Sequence, residues 1–193
     1  MELVGLSYAC LRWLSELNAK NVYSFKSVKR TEPELEWSLG DWAAKIEANF
    51  EKHFRVFVDN PDEKRKDLVH KTDIYKDTMG SGYPWCDYQL RCNFPIAMAV
   101  APQLFNPENA WKALQVVKKK LLGPLGIATL DPDDWNYRGN YDNSNDSNDP
   151  TVANGNNYHQ VLTQYFHHFS ALKMISYYRK TSTYALLIRV SRF

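Results

Sequence analysis

Apolar residues recur three or four positions apart in three segments of this 193-residue chain. Such spacing places side chains on one face of an α-helix, so each segment predicts an amphipathic helix. The apolar positions are Leu3, Leu6, Leu11, Leu14 and Leu17 with Tyr8 and Trp13, then Trp42, Ile46, Phe50 and Phe54, then Trp111, Leu114, Val117 and Leu121. Long polar stretches without periodicity separate the segments. The sequence therefore predicts an all-α scaffold with long inter-helix loops.

Capping residues indicate where these helices begin and end. Ser38, followed by Asp41, is a typical N-cap, and residues 106–108 supply a cap asparagine, a first-turn proline and a first-turn acid. The lysines at 118–120 suit the negative end of the helix dipole. Pro95 predicts a further short helix over 95–100, with Asn93 as its cap.

Residues 161–193 differ in composition from everything before them. They contain five basic residues and no Asp, Glu, Gly or Pro, whereas residues 1–160 are mixed and slightly acidic. We interpret the change at Gln160/Val161 as a boundary. The predicted organisation is a domain section over 1–160 and a divergent basic tail over 161–193 that does not belong to the same fold.

The cysteines argue against a metal site or a disulfide framework. Cys10, Cys86 and Cys92 form no CxxC pair, and Cys86 and Cys92 reach a zinc ligand set only by adding His159, without a recognisable spacing. Free thiols are therefore expected. No stretch resembles a phosphate-binding glycine loop or a serine nucleophile elbow, so neither a metal nor a cofactor is expected.

Charge and hydropathy exclude two classes of partner. A net charge of +2 gives no reason to expect a nucleic-acid partner. No run of 18 apolar residues is present, so no membrane span and no membrane partner are expected. The first six residues lack the apolar core of a signal peptide, and we expect a cytoplasmic protein.

The densest group of polar and aromatic residues lies at 83–94. Carbohydrate recognition needs flat aromatic faces against the sugar ring and planar polar groups for paired hydrogen bonds to hydroxyls. Trp85 and Tyr88 supply the first, and Asp87 and Arg91 the second. The alternative is a loop that its aromatic side chains anchor to the core while Asp87 pairs with Arg91.

A second group lies within the irregular stretch 123–160. It consists of Asp131, Asp133, Asp134, Tyr137, Arg138 and Tyr141. Glycoside hydrolysis needs two carboxyl groups on opposite sides of one bond, and Asp133 and Asp134 are too close in sequence to flank it. The alternative interpretation is a solvated acidic loop that forms turns.

The two groups belong to a longer series of sequence blocks. The blocks occupy 4–7, 12–14, 49–52, 68–71, 74–77, 85–91, 93–98, 100–102, 104–105, 111–114, 119–126, 129–134, 141–143 and 157–160. They include Trp-Cys-Asp-Tyr-Gln-Leu-Arg at 85–91, Thr-Leu-Asp-Pro-Asp-Asp at 129–134 and Asn-Tyr-His-Gln at 157–160. In content and order the series resembles the C-terminal glucosidase domain of the eukaryotic glycogen debranching enzymes.

This resemblance implies a partial (α/α)6 toroid whose inter-helix loops form a sugar site at one end. The implied activity is hydrolysis of the α-1,6 branch-point glucose of glycogen, in an enzyme that also has 4-α-glucanotransferase activity elsewhere. The implied partners are glycogen or limit-dextrin chains. The residues expected to bind substrate are Trp85, Asp87, Tyr88, Arg91, Asp131, Asp133, Asp134, Tyr137, Arg138, Tyr141, His159 and Gln160.

The chain departs from the family pattern at two places. Cys92 stands where the family usually has proline, and from Val161 the sequence no longer follows the family's Gly-Pro-Glu-Trp continuation. The resemblance places the catalytic acid before the stretch matched by Met1 and the catalytic base beyond Gln160, so no catalytic residue is assigned. We expect a fragment that is inactive alone, and the alternative is a non-catalytic glucan-binding remnant.

Overall fold

The computed structural model describes residues 1–29, 31, 35–124 and 126–139. The α-helices are α1 (Glu2–Ala19), α2 (Leu39–Phe54), α3 (Asn93–Val100) and α4 (Pro107–Lys120), and shorter 3₁₀ helices lie at Lys66–Leu68, Pro84–Tyr88 and Pro102–Leu104. The strands are β1 (Ser27–Lys29), β2 (Glu36–Ser38), β3 (Arg55–Val56), β4 (Ile74–Tyr75), β5 (Leu122–Gly123) and β6 (Gly126–Ile127). The described residues are thus rich in helix, in agreement with the all-α prediction.

Helix α1 packs against both α2 and α3. Its buried face includes Tyr8 and Leu11, and Gly5 marks the close approach to α3. A Cβ atom at Gly5 would lie 3.0 Å from Cα of Ala97, a backbone atom that a side-chain rotation cannot move away. Glycine at this position therefore allows the two helices to touch.

Helix α2 begins at its predicted cap, but its buried face differs from the predicted one. The Ser38 hydroxyl accepts a hydrogen bond from the backbone N–H of Asp41 at 3.0 Å. Phe50 and Phe54 are buried as predicted, whereas Trp42 is 42% exposed. Each four-residue step turns about 40° around the helix, so a row of such steps winds off the buried face before it reaches position 42.

The caps of α3 and α4 contrast with each other. At α4 the prediction is confirmed, because Oδ1 of Asn106 accepts hydrogen bonds from the N–H groups of Glu108 and Asn109 at 3.0 and 3.2 Å. At α3 it is wrong, since the helix begins at Asn93 itself. The side-chain amide of Asn93 instead donates to Oδ1 of Asp77 at 2.7 Å. A long-range contact has taken the place of a local cap.

The described residues also form three short antiparallel strand pairs. β1 pairs with β2, β3 with β4 and β5 with β6. In these pairs Ser27 lies opposite Ser38, Arg55 opposite Tyr75, and Leu122 opposite Ile127. Strands of two or three residues are too short to show an alternating pattern, which explains why the sequence did not predict them.

The core contains a group of aromatic rings from several elements. Phe50 stacks on Phe54 with ring centroids 4.7 Å apart and meets Phe105 edge-on at 4.9 Å. Tyr75 and Phe94 are parallel, with centroids 5.0 Å apart. These rings join α2, β4 and α3, and so they fix the ends of the loop that runs from β4 to α3.

Several predictions concern residues outside this description. Tyr141, His159 and Gln160 lie outside the described residues, as do the boundary at 160/161 and the tail. Within the part that is described, no helix has both the length and the apolar content that crossing a membrane requires.

Candidate functional site

The two polar groups predicted from the sequence lie side by side in the structure. Arg91 and Leu130 form an isolated antiparallel bridge. The backbone N–H of Asp131 donates to the carbonyl oxygen of Leu90 at 3.1 Å. Segments that are 40 residues apart in sequence are therefore joined through their backbones, and their side chains share one region.

A network of buried polar side chains crosses this junction. Gln89, which is 1% exposed, donates through Nε2 to Oδ1 of Asp134 at 3.2 Å. Arg91 donates through Nε and Nη2 to Oε1 of Gln89 at 3.1 and 2.7 Å. Arg91 Nε also lies 3.7 Å from Oδ2 of Asp77. We call Asp77, Gln89, Arg91, Asp131 and Asp134 the polar network.

Neighbouring aspartates of the acidic loop differ in their environments. Asp131 is buried, and its Oδ2 lies 3.1 Å from Nζ of Lys71, while its Oδ1 accepts from the N–H of Asp133 at 3.0 Å. The Asp133 side chain is exposed and pairs with Lys120. The hydrogen bond from Lys120 holds the pKa of Asp133 below its usual value. The interpretation as a solvated acidic loop therefore fits Asp133 and fails for Asp131.

Asp87 organises the loop that precedes it. Its carboxylate accepts hydrogen bonds from Thr78 Oγ1 at 2.5 Å, from the N–H of Gly80 at 2.8 Å and from the N–H of Ser81 at 3.2 Å. Gly80 adopts a φ of 71°, which glycine accommodates without strain. Asp87 thus binds the 78–81 loop rather than Arg91, and the suggested Asp87–Arg91 pair is not formed.

Tyr88 is buried inside an ion-pair group. Lys76 Nζ lies 2.7 Å from Oε2 of Glu63, and it donates to the Tyr88 hydroxyl at 3.3 Å. The hydroxyl in turn donates to Oε1 of Glu63. Burial, followed by the hydrogen bond to Glu63, raises the pKa of Tyr88. Its ring packs against protein, so Tyr88 holds the loop and presents no face to a sugar.

Exposed aromatic rings lie beside the network. Tyr83 and Trp135 are each 64% exposed, and Trp85 is half-buried. The Trp85 ring centroid lies 5.0 Å from that of Tyr83 and 5.8 Å from that of Trp135. We call these three residues the aromatic patch. Tyr83 and Trp85 come from the predicted group at 83–94. Sequence reasoning missed Trp135, a tryptophan that lies among the residues of the second group in a turn of polar residues.

The turn that carries Trp135 is held from its first residue. Asp134 Oδ1 accepts from the N–H of Asn136 at 2.9 Å, and the carbonyl oxygen of Asp134 accepts from the N–H of Tyr137 at 2.9 Å. Arg138 Nη1 donates to the carbonyl oxygen of Tyr137 at 3.0 Å. Tyr137 and Arg138, both half-buried, therefore belong to this turn.

A histidine that the sequence did not single out as a site residue also faces Asp134. His70 Nε2 lies 3.8 Å from Oδ2 of Asp134, and its Nδ1 lies 3.0 Å from the carbonyl oxygen of Leu68. The His70 side chain is 40% exposed, whereas that of Asp134 is buried. His70 and Lys71 thus bring one segment against both buried aspartates of the acidic loop.

The site combines the exposed rings of the aromatic patch with the hydrogen-bonded side chains of the polar network. Its buried carboxylates are engaged by cations or hydrogen-bond donors, and burial raises the pKa of Asp77 although Arg91 opposes the shift. Among the described residues no group of His, Cys, Asp and Glu side chains is arranged to hold a metal ion. The arrangement suits the binding of a ligand with apolar faces and many hydroxyls.

The chain belongs to the amylo-alpha-1,6-glucosidase family, whose sequence model matches residues 1–191. A curated relative is the glycogen debranching enzyme of Saccharomyces cerevisiae, which is 39% identical over 183 residues. That alignment covers 88% of this chain and 12% of the relative, so the chain spans about an eighth of the relative's length. The family match extends past residue 160, and the predicted boundary there remains a prediction.

Proposed function

We propose that this chain is a section of a glycogen debranching enzyme's glucosidase domain and that it binds the glucan whose α-1,6-linked glucose is hydrolysed. Its partner is then glycogen or a limit dextrin, in the cytoplasm. Family membership supports this proposal. The observation that carries it is the bridge between Arg91 and Leu130, because it brings the aromatic patch and the polar network together.

In this proposal the aromatic rings contact the sugar, and the polar groups hold the rings in place. The exposed faces of Trp135 and Tyr83 offer apolar area to the C–H face of a glucosyl ring. The polar network fixes the turn under Trp135, since Asp134 is held by Gln89 and by the N–H of Asn136. A platform that is already ordered loses little entropy when a sugar binds.

The buried carboxylates do not suit general acid–base catalysis. A general acid must be protonated and a general base must be accessible to water. Asp87 accepts three hydrogen bonds, Asp131 faces Lys71, and Asp134 accepts from Gln89. These contacts engage each of the three carboxylates, and the three side chains are buried away from water. We propose that the acid and base come from other parts of the family domain and that this chain releases no glucose alone.

We further propose that the helices form part of an (α/α)6 ring. Helix α1 supports this, because it buries Tyr8 against its neighbours yet exposes Leu3, Leu6 and Trp13 on another side. A helix with two apolar faces suits a position between neighbours on both sides. In this proposal residues 161–193 are not part of the ring.

A fluorescence titration tests the binding proposal. The intrinsic tryptophan emission of the chain is followed during addition of maltoheptaose, and a saturable change is expected. Trp135→Ala and Trp85→Ala should each weaken binding about three- to tenfold, the contribution of an aromatic contact. Trp42→Ala is the matched control, since it removes an exposed tryptophan of α2 outside the patch. Flat traces with the unmodified chain would refute the proposal.

Glucose release tests the catalytic part separately. The chain is incubated with a phosphorylase limit dextrin, and free glucose is measured against a Trp85→Ala/Asp87→Ala double variant. We expect neither protein to release glucose. The alternative, a non-catalytic glucan-binding remnant, predicts the same result. A rate for the unmodified chain above that of the double variant would show that the chain carries its own acid and base.

A further inference from the structure

The hydrogen bond at Nδ1 determines the tautomer of His70. A carbonyl oxygen only accepts hydrogen bonds, so the 3.0 Å contact with the oxygen of Leu68 requires a proton on Nδ1. In the neutral imidazole the other ring nitrogen, Nε2, then carries a lone pair. Oδ2 of Asp134 lies 3.8 Å from this nitrogen. Two acceptors face each other, and no hydrogen bond can form between them.

In the part of the chain that the structure describes, Oδ2 of Asp134 lacks a hydrogen-bond donor, and the neutral His70 ring cannot supply one. Oδ1 of Asp134 accepts from Gln89 and Asn136, whereas Oδ2 is buried and accepts no hydrogen bond from any described residue. Protonation of Nε2 would turn His70 into a donor at this position. A charge-assisted N–H···O bond is about 2.8 Å long, so its formation would draw the two groups about 1 Å closer.

We propose that His70 is a positioning residue that, when protonated, fixes Trp135 through Asp134 and so strengthens glucan binding at acidic pH. Trp135 directly follows Asp134, and its ring meets that of Trp85. A shift of Asp134 toward His70 therefore moves one side of the aromatic patch relative to the other. This inference rests on the proposed function, because it assigns a regulation to the same site.

Charged groups near His70 in sequence include Lys71, which pairs with Asp131, and Arg65, which pairs with Asp67. Lys66 lies on the 3₁₀ helix before His70. The 3₁₀ helix Lys66–Leu68 packs against Pro84–Tyr88. Several polar groups lie on and around that element. Asp87 is bound by the 78–81 loop, and Arg91 is bound to Gln89. A further one is the Cys86 thiol, and burial raises its pKa. Among side-chain types, histidine is the one whose ordinary pKa allows a change of charge between pH 5 and 8.

Two variants of His70 make opposite predictions. His70→Gln keeps a neutral N–H donor at every pH, and His70→Ala removes the donor at every pH. The unmodified chain should bind maltoheptaose about threefold or more tightly at pH 5.5 than at pH 8. His70→Gln should bind like the acidic form at both pH values, and His70→Ala like the alkaline form. His53→Gln, at an exposed position of α2, should keep the original pH dependence.

A measurement without glucan separates this inference from the proposed function. The tryptophan emission of the free chain should change between pH 5.5 and 8, and the change should be absent in His70→Gln and in Trp135→Phe but present in His53→Gln. Loss of glucan binding at every pH with this signal intact would refute the proposed function alone. Glucan binding with the same pH dependence in the chain and in His70→Ala, or an emission change that survives in His70→Gln, would overturn the role of His70.

Discussion

The aromatic core and the polar network are both buried, yet different forces hold them. In the core, Phe50 contacts Phe54 and Phe105 through ring faces and edges, and Phe50 and Phe54 both lie on α2. In the network, Gln89, Arg91 and Asp134 belong to loops and meet through hydrogen bonds with set directions. Apolar contacts are nondirectional, whereas every member of the network needs its own partner.

The two regions should therefore differ in how well they tolerate substitutions. A core of rings can adjust to a change of shape and loses stability in proportion to the volume removed. A buried ionic or amide network loses much when one partner is removed, because the remaining groups stay buried without compensation. The exposed aromatic patch rests on the network, so the part of the molecule proposed to bind glucan is also the part most sensitive to single polar changes.

Truncation of Phe50 should have the largest effect on stability. Phe50→Ala removes a fully buried ring with aromatic neighbours on more than one side, and a loss of about 3–5 kcal/mol in the free energy of unfolding is expected. Urea denaturation followed by circular dichroism measures it. Trp42→Ala on the exposed side of α2 should change the free energy by less than about 1 kcal/mol. Equal losses in the two variants would remove the distinction between the faces of α2.

Asp131→Asn should be the most damaging change in the network. The variant leaves Lys71, which is largely buried, without its counter-charge, and a loss of about 3 kcal/mol is expected. The same urea titration measures it, and the stability should not recover at high salt because buried pairs are little screened. A loss of stability as small as that of a surface variant would show that the Lys71–Asp131 pair contributes nothing.

Local signals explain what could be predicted from the sequence. The caps at Ser38 and Asn106 depend on residues two or three positions away, and both are confirmed. The helical spacing also predicted α1 and the burial of Phe50. Asn93 looked like a local cap, but its amide reaches Asp77, and no feature of residues 92–96 indicates that contact.

The site could be predicted in composition but not in arrangement. Trp85, Arg91 and Asp131 were candidates because of their chemistry, yet their proximity depends on a backbone bridge between segments 40 residues apart. Burial separated these residues, since the candidate Tyr88 is buried, whereas Trp135, which was not a candidate, is exposed. Periodicity carries no information about irregular loops, so such sorting requires the tertiary structure.

Tyr8 allows a residue of the hydrophobic core to be tested by a change of pH. Burial, and then the hydrogen bond that its hydroxyl donates to Glu47 at 2.7 Å, raise the pKa of Tyr8 to about 12. The raised pKa stabilises the fold fully below the unfolded tyrosine value near pH 10, and this contribution is lost as the pH rises toward 12. At pH 11 the loss should be about 1 kcal/mol relative to pH 9.

The measurement compares urea midpoints at pH 9 and pH 11 in the chain and in Tyr8→Phe. Other tyrosines and lysines also titrate in this range, so the informative quantity is the difference between the two proteins. Tyr8→Phe should lose less stability on going to pH 11. An identical alkaline loss in both would mean that the Tyr8 hydroxyl is not held in its neutral form by α1 and α2.

Asp133→Asn should have the smallest effect and gives the sharpest contrast. Asp133 lies two residues from Asp131 and also pairs with a lysine, but both Asp133 and Lys120 are accessible to water. Solvent screens such a pair, so no measurable change in the urea midpoint is expected at physiological ionic strength, about 0.15 M. Because the two substitutions remove the same charge from the same loop, burial is the variable that distinguishes them. A loss for Asp133→Asn equal to that for Asp131→Asn would mean that charge count, rather than burial, governs the stability of this loop.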